Sequence, residues 1–233
     1  MEAEYSVIVV GAAVLIMPKT EEGRAYGDAV NSILYAQLVA NKRVEKYPGI
    51  DWYDVYTEVL DNFWVRRVKG REDSRGEPGS AELLTDRAID FLSNTDPGKK
   101  SAISELLDQC AGLSAAHPAI KLLRTHVQGM PNVQALPVPG SFPDARLMVM
   151  VASSPTVLSS VYLALNTRQP LSPNPVAEAF RARDVEDRVT LRYAQATLSQ
   201  ALYDHVRDDI ALRVQDRLET NVAPLTLCRE SHA

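Results

Sequence analysis

The residues whose types and spacing come nearest to a metal site lie towards the C-terminus. Asp204, His205 and Asp208 could share one side of a helix, and Asp209 follows directly. Carboxylates and imidazoles bind metals, but helical metal motifs of this kind place two histidines four residues apart. The second histidine is missing here. We therefore predict an exposed helix face and no metal or other cofactor; Asp204, His205 and Asp208 are the candidate ligands should a metal bind.

Two residues could supply a nucleophile, Cys110 and Ser114. Cys110 falls on the apolar stripe of a predicted helix, which is typical of a small core residue and not of a reactive thiol. The run Gly112–Ala116 shares a glycine and a serine with a nucleophile elbow, but an elbow needs a strand before its serine and a glycine after it. A predicted helix precedes Ser114, and Ala116 occupies the second glycine position. The sequence assigns no catalytic residue.

The N-terminal run Val7–Ala13 looks like the first strand and turn of a dinucleotide-binding fold. That fingerprint needs a second glycine for close approach to the pyrophosphate and a third for helix packing. Ala13 and Ile16 stand where those glycines would be. We therefore predict no nucleotide site.

A basic, glycine-rich segment, Arg66–Ser80, lacks any apolar periodicity and predicts an exposed loop. Its cations could contact an anionic partner, with Trp64 beside them as an apolar anchor. Acidic residues within the segment dilute its positive charge, so a solvated loop is the competing interpretation. The candidate partner-binding residues are Trp64, Arg66, Arg67 and Arg71, with Lys69 and Arg75 as further cations nearby.

The composition is that of an ordinary globular protein. The 233 residues are 45% hydrophobic and 24% charged, which excludes disorder of the whole chain. A net charge of −5 argues against a nucleic-acid or anionic-membrane binder, since such proteins carry a basic excess. Two cysteines build neither a disulfide framework nor a four-cysteine zinc site. We expect a soluble protein of a reducing compartment, the cytoplasm.

The element that should organise the fold is the longest apolar run, Tyr5–Met17. Its stretch Val7–Met17 has eleven residues without a charge, too few for a membrane-spanning helix, which needs about 20. Glutamates precede the run and Pro18 follows it, a pattern that does not fit a secretory signal. Its β-branched residues without polar alternation predict one central strand, buried on both faces of a covered sheet.

Helical spacing of apolar residues predicts five helices in the next hundred residues. Asp51 is the expected N-cap of the second, whose aromatic face, from Trp52 to Phe63, should pack in the core. The five regions are 20–46, 51–63, 80–92, 97–110 and 118–127.

The second half of the chain starts with a proline-rich segment, 129–145, that favours neither a helix nor a central strand. Two apolar runs within 146–165 then predict a β-hairpin, although 157–165 also fits helical spacing. From Val176 to Glu219 there is no proline or glycine, and the apolar stripe predicts one long helix with a possible break near 204–209. A short edge strand is expected over Leu225–Cys228.

These elements together predict an α+β fold that is mostly helical, with a small mixed or antiparallel sheet and a long C-terminal helix. We expect one domain over 1–233, in which 129–145 is a crossover; two domains, 1–128 and 146–233, are the alternative. The functional hypothesis is a non-enzymatic interaction or assembly protein that self-associates through helical surfaces and binds neither nucleic acid nor membranes. The alternative is an enzyme or small-ligand protein whose site is assembled from distant residues.

Overall fold

The computed structural model describes residues 5–19, 25–74, 81–95, 97–127, 144–167, 170–181, 185 and 189–227. The strands are β1 (Tyr5–Val10), β2 (Ala13–Pro18), β3 (Trp64–Ser74), β4 (Ala81–Leu83), β5 (Asp144–Ser154), β6 (Val157–Asn166), β7 (Ala179–Arg181), β8 (Val189–Leu198) and β9 (Val222–Leu225). The α-helices are α1 (Gly27–Lys46), α2 (Trp52–Leu60), α3 (Leu84–Thr95), α4 (Lys100–Ala111), α5 (Pro118–Val127), α6 (Gln200–Tyr203), α7 (Arg207–Gln215) and α8 (Leu218–Asn221).

Seven strands form one mixed sheet in the order β3-β8-β6-β5-β2-β1-β9. Its one parallel pair is β2–β5, in which Ala13 lies opposite Met148. Every other neighbouring pair is antiparallel. A separate two-stranded sheet joins β4 and β7. Strands from both halves of the chain therefore belong to the same main sheet.

Helices cover both faces of the main sheet. The core on one face is built with α1, α2, α6 and α7, and the core on the other with α3, α4 and α5. Alternate residues of β5 serve the two cores: Met148 and Met150 face α1 and α2, whereas Leu147 and Val149 face α3 to α5. Because both faces are covered, the central strands need no polar alternation.

The N-terminal apolar run is a hairpin and not the single strand predicted. The chain turns at Gly11, whose φ of +57° lies in the left-handed region that glycine adopts without strain. The N–H of Gly11 donates to the carbonyl of Asn221 over 2.8 Å. Gln37 of α1 bonds the same turn, accepting from the N–H of Ala12 at 2.9 Å and donating to the carbonyl of Val10 at 2.8 Å. The turn is therefore buried, and its polar groups are satisfied by distant elements.

Helices occur in all five regions predicted from apolar spacing, and the 146–165 hairpin is present as β5 and β6. Asp51 caps α2, because its Oδ1 atom accepts from the N–H of Asp54 at 2.9 Å. The aromatic face of α2 lies in the core, where Trp52, Tyr53 and Tyr56 are each less than a tenth exposed. Most of the 129–145 segment lies outside the described residues.

The predicted fold class is wrong in two respects. The sheet has seven strands instead of being small, and the described residues of the C-terminal half contain no long helix. The region 176–219 holds β7, β8 and the short helices α6, α7 and part of α8. The short strand expected over Leu225–Cys228 lies earlier in the chain, as β9 over Val222–Leu225, and shares only Leu225 with the predicted range. No helix in the described part of the chain is long and apolar enough to cross a membrane.

The predicted loop at 66–80 is also wrong over its first half. Residues from Trp64 to Ser74 form β3, an eleven-residue strand paired with β8. The register shifts between Arg66 and Val68, so Arg67 is the extra residue of a β-bulge. Residues 75–80 lie outside the described ranges.

Candidate functional site

The outer edge of β3 is the candidate functional site. β3 is the terminal strand of the main sheet, and among the described strands it pairs with β8 alone. Its outer main-chain N–H and C=O groups therefore have no ladder partner in the described structure. Such an edge is a template on which another extended chain can pair.

The hydrogen-bond pattern shows which main-chain groups point outward. Ser199 donates to the carbonyl of Phe63, whereas Leu198 donates to Thr156 on the opposite side. Odd-numbered residues of β8 therefore face β3, and beyond the bulge they lie opposite Val68, Gly70 and Glu72. In an antiparallel ladder a residue directs its N–H and C=O to the same side, so those of Lys69 and Arg71 point away from β8.

The two faces of β3 differ chemically. Arg66, Lys69 and Arg71 lie opposite even-numbered residues of β8 and share the face covered by α1 and α2. Val65 and Val68 lie on the other face and are 52% and 43% exposed. A chain pairing with this edge would meet Arg66, Lys69, Arg71 and Asp73 on one face, and Val65, Val68 and Glu72 on the other.

Two of the cations on β3 are free. The guanidinium of Arg66 forks onto the carboxylate of Asp61, with a 2.7 Å bond from Nε to Oδ1. Arg71 pairs with Asp73 at 3.0 Å. Arg67 and Lys69 are exposed and make no hydrogen bond or ion pair with the rest of the described structure.

Trp64, the sequence's candidate anchor, is buried. It is 2% exposed, and its Nε1 donates to Oγ of Ser32 on α1 at 3.0 Å. Its indole positions the start of β3 against α1, and in this fold it offers no surface to a partner. The exposed apolar groups beside the cations are instead Val65 and Val68. Arg75 lies outside the described residues.

Gly70 adapts the middle of β3 to its neighbour. A Cβ on Gly70 would lie 2.3 Å from the ring and hydroxyl of Tyr193, directly opposite on β8. Tyr193 in turn stacks on Phe91 of α3, with ring centroids 4.7 Å apart. The stacked pair therefore fills the space that a side chain at position 70 would need, on the face of β3 turned towards α3.

A second cluster gathers distant aromatic and charged residues around α2. Tyr53 stacks on Tyr162 of β6 at 4.7 Å, and the guanidinium of Arg192 lies 5.1 Å from the centroid of Tyr53. Arg192 also bridges Asp51 and Asp54 at the start of α2. These contacts cross the sheet from β6 and β8 to α2, which no local sequence spacing reveals.

Two polar atoms in this cluster have no hydrogen-bond partner, the hydroxyl of Tyr56 and Nε of Arg192. Burial raises the pKa of Tyr56 well above its ordinary value, and the neighbouring Tyr53 adds to the rise. Burial likewise raises the pKa of Tyr53, although Arg66 and Arg192 oppose it. Both phenols therefore stay protonated at neutral pH.

The candidate metal ligands are not assembled into a site. Asp204 lies between α6 and α7, and its carboxylate accepts from Nη2 of Arg207 at 2.8 Å. His205 and Asp208 are exposed. A search of the described residues finds no group of three or more histidine, cysteine, aspartate or glutamate side chains that could hold a metal ion.

The two candidate nucleophiles, Cys110 and Ser114, lie in different environments. Cys110 is fully buried in the core, and burial raises the pKa of its thiol to about 12. Ser114 is exposed, and its Oγ accepts from the N–H of Ala116 at 3.2 Å.

Comparisons with known proteins add no functional information. No protein-family model matches the chain, and no curated protein matches it. A solved structure titled delta-endotoxin is 6% identical, with a TM-score of 0.33 over 79% of this chain and 80% of that one. A likeness at that TM-score carries no argument about fold or function.

Proposed function

We propose that this chain is a non-enzymatic interaction protein that binds an extended segment of a partner protein along the outer edge of β3. The observation that carries the proposal is the unpaired outer main chain of an eleven-residue edge strand flanked by exposed valines. Main-chain hydrogen bonds supply affinity in such strand addition, and alternate side chains supply specificity. The bulge at Arg67 and the cations limit indiscriminate pairing of the edge.

The contact surface differs from the one that the sequence favoured. Self-association was expected through the aromatic face of the Trp52–Trp64 region or through a long C-terminal helix. The aromatic face is buried in the core, and the long helix is replaced by β8 and short helices. β3 and β9 are the two edges of the main sheet among the described strands. β3 is the longer, with eleven residues against four, and it carries the exposed valines and the unpaired cations, so the proposal rests there.

A photo-crosslinking experiment in the cells that make the protein tests this proposal. Benzoylphenylalanine at position 67 should give a discrete adduct on irradiation, whereas the same group at exposed Lys121 on α5 should not. Intact mass spectrometry of the adduct identifies whether the captured chain is a second copy or another protein.

The variant Arg71→Pro supplies the decisive control, because it removes an outward N–H while leaving the β3–β8 ladder intact. Arg71→Ala removes the same side chain and keeps the N–H. The adduct should be lost in the proline variant and kept in the alanine variant. Equal adducts from positions 67 and 121, or an adduct that survives Arg71→Pro, would contradict strand addition at β3.

A second candidate function, binding of a small polar ligand, is favoured by the unpartnered Tyr56 hydroxyl and Arg192 Nε in the α2 cluster. A buried polar atom without a partner costs about 1–3 kcal/mol, and a ligand that supplied the missing partners would recover that free energy. Native mass spectrometry of wild type and Tyr56→Phe tests this function. A bound mass below about 1 kDa that is lost in the variant supports it. Identical masses, together with a variant more stable than wild type, would count against it.

A further inference from the structure

We infer that the segment bound at β3 is a strand of another protein that alternates acidic and apolar residues. This inference rests on the proposed function of β3, and it specifies the chemistry of the partner. Successive side chains of a strand point to opposite faces of its sheet. A bound segment must therefore satisfy the two faces of β3 with alternate residues.

The face shared with α1 and α2 calls for carboxylates. Lys69 projects on this face, and exposed Arg67 stands beside it in the bulge; neither has a partner in the described structure. Cross-strand pairs of opposite charge stabilise a sheet, whereas like charges directly opposite destabilise it. Acidic residues at every second position of the partner would lie opposite these cations.

The other face calls for apolar side chains. Val65 and Val68 are about half exposed on this face. The hydrophobic side chains of the central strands, in contrast, are buried on both faces of the sheet. Apolar residues between the acidic ones would cover these valines and remove apolar surface from water. Over Trp64–Ser74 four basic residues stand against two acidic ones, in a chain whose net charge is −5. The acidic segment would therefore meet a locally basic strand.

Symmetry argues against a second copy as the occupant. When two identical edges pair antiparallel about a twofold axis, one residue lies opposite itself, and its neighbours lie opposite each other. An axis at Lys69 or Arg71 places that charge against its own copy. An axis at Gly70 places Lys69 opposite Arg71, and an axis at Val68 places Lys69 against the bulge at Arg67. Registers centred on residues 68 to 71 therefore put like charges together, and a second copy is disfavoured at the basic centre of β3.

Fluorescence anisotropy with three labelled peptides tests the inference. The probes are Thr-Glu-Val-Glu-Val-Glu-Thr, its lysine counterpart Thr-Lys-Val-Lys-Val-Lys-Thr, and a block peptide, Glu-Glu-Glu-Val-Val-Thr-Thr, of the same composition as the first. Wild type should bind the alternating acidic peptide at least about tenfold more tightly than the other two, and more weakly as salt rises.

The charge-reversal variant Arg67→Glu/Lys69→Glu should reverse the preference in favour of the lysine peptide. The matched variant Lys121→Glu/Arg213→Glu changes the net charge equally at exposed sites on α5 and α7 and should bind as wild type does. Arg71→Pro should bind none of the peptides, whereas Arg71→Ala should retain binding.

The outcomes separate this inference from the proposed function. Equal binding of acidic and lysine peptides, lost in Arg71→Pro, would overturn the acidic partner and leave strand addition standing. No binding of any peptide to wild type would overturn the inference, and the crosslinking experiment then decides the proposed function. Light scattering that shows a dimer sensitive to Arg71→Pro would overturn the choice of another protein as partner.

Discussion

The side chain of Gln37 occupies the space that a side chain on Gly11 would need. A Cβ built on Gly11 would lie 2.2 Å from Oε1 of Gln37, the atom that accepts from the N–H of Ala12. The same glutamine donates to the carbonyl of Val10. The first turn of the chain and the middle of α1 are thus complementary, and a change in either should be felt in the other.

Gly11→Ala should destabilise the protein by at least about 2 kcal/mol. Alanine is strained at the positive φ of this position, and its methyl group would displace Gln37 from two buried hydrogen bonds. Urea unfolding followed by circular dichroism measures the change.

Two other glycines provide the controls for this variant. Gly49 also has a positive φ, +100°, but open space around a built Cβ, so Gly49→Ala reports the backbone strain alone. Gly27 has neither feature at the start of α1 and should accept alanine at little cost. If Gly11→Ala and Gly49→Ala lost the same free energy of unfolding, the contact between position 11 and Gln37 would contribute nothing to the cost of Gly11→Ala.

Asn174 should be a second position that is sensitive to substitution. Its Nδ2 donates to the carbonyls of Cys110, Ala111 and Leu113, at 2.9, 3.1 and 3.1 Å, and so closes the C-terminal end of α4. Asn174→Ala should cost about 1–3 kcal/mol of unfolding free energy, because buried carbonyls lose their donor.

Asn174→Asp should be worse than alanine at neutral pH, since a carboxylate would face the same carbonyl oxygens. Asn166→Ala, at the exposed end of β6, should change stability by less than about 0.5 kcal/mol. An aspartate variant as stable as wild type would contradict the role given to Nδ2.

Glu178 should make stability depend on pH. Burial raises the pKa of its carboxyl above the ordinary 4.5, and the N–H of Ser172, which donates to Oε2, lowers it by less. The folded protein then holds this proton to a higher pH than the unfolded chain does. The contribution of Glu178 to stability is therefore present below pH 4.5 and is lost as pH rises through the folded-state pKa.

Urea unfolding between pH 4 and 7 should show wild type losing stability relative to Glu178→Gln as pH rises. Glutamine keeps an acceptor for Ser172 and cannot titrate. Wild type should also lose stability relative to Glu178→Ala as pH rises. At pH 4, Glu178→Ala should be less stable than Glu178→Gln, because alanine offers no acceptor to the N–H of Ser172. If wild type instead gained stability relative to Glu178→Gln as pH rises, the pKa of Glu178 would be lowered by folding, and the prediction would be wrong.

Cys110 should be unreactive in the folded protein. With Cys228 replaced by serine, a disulfide reagent at pH 8 should label the denatured chain at once and the native chain only as fast as the core opens. Burial excludes the reagent, and a pKa of about 12 instead of 9.0 makes the thiolate fraction about a thousandfold smaller. Stoichiometric labelling on mixing with native protein would disprove this.

Burial along the N-terminal run was predictable from the sequence, but its division into two strands was not. Turns are recognised by polar residues and glycine, and Gly11 stands here among valines and alanines. The polar groups that complete this turn come from Gln37 and Asn221, far along the chain. A local pattern cannot contain that information.

The error in the C-terminal half has a different physical cause. Val189 and Tyr193 are four residues apart, and residues at this spacing share a face in both a helix and a strand. With both faces of β8 covered, polar alternation, which distinguishes the two, is weak. Spacing alone therefore favoured a helix where the structure has a strand.

Part of the candidate site was visible in the sequence. The basic residues of β3 are recognisable in the sequence as contacts for an anionic partner. The strand that carries them is not, because the bulge at Arg67 interrupts the alternation with a period of two that identifies a strand. Val65 and Val68 fall on the same face because of that bulge, three positions apart. The cluster of Tyr53 with Arg192 depends on the packing of α2 against β8, which only the fold supplies.

The parallel pair β2–β5 also has a consequence for biosynthesis. β2 leaves the ribosome well before its neighbour β5, which is made after α1 to α5, and β9, the other neighbour of β1, is made later still. Until then the nascent hairpin presents apolar surface on both faces. Contacts so distant in sequence slow folding and leave partly folded chains prone to aggregation. Synthesis of this protein should therefore depend on chaperones that shield the hairpin of β1 and β2 until β5 and β9 have been made.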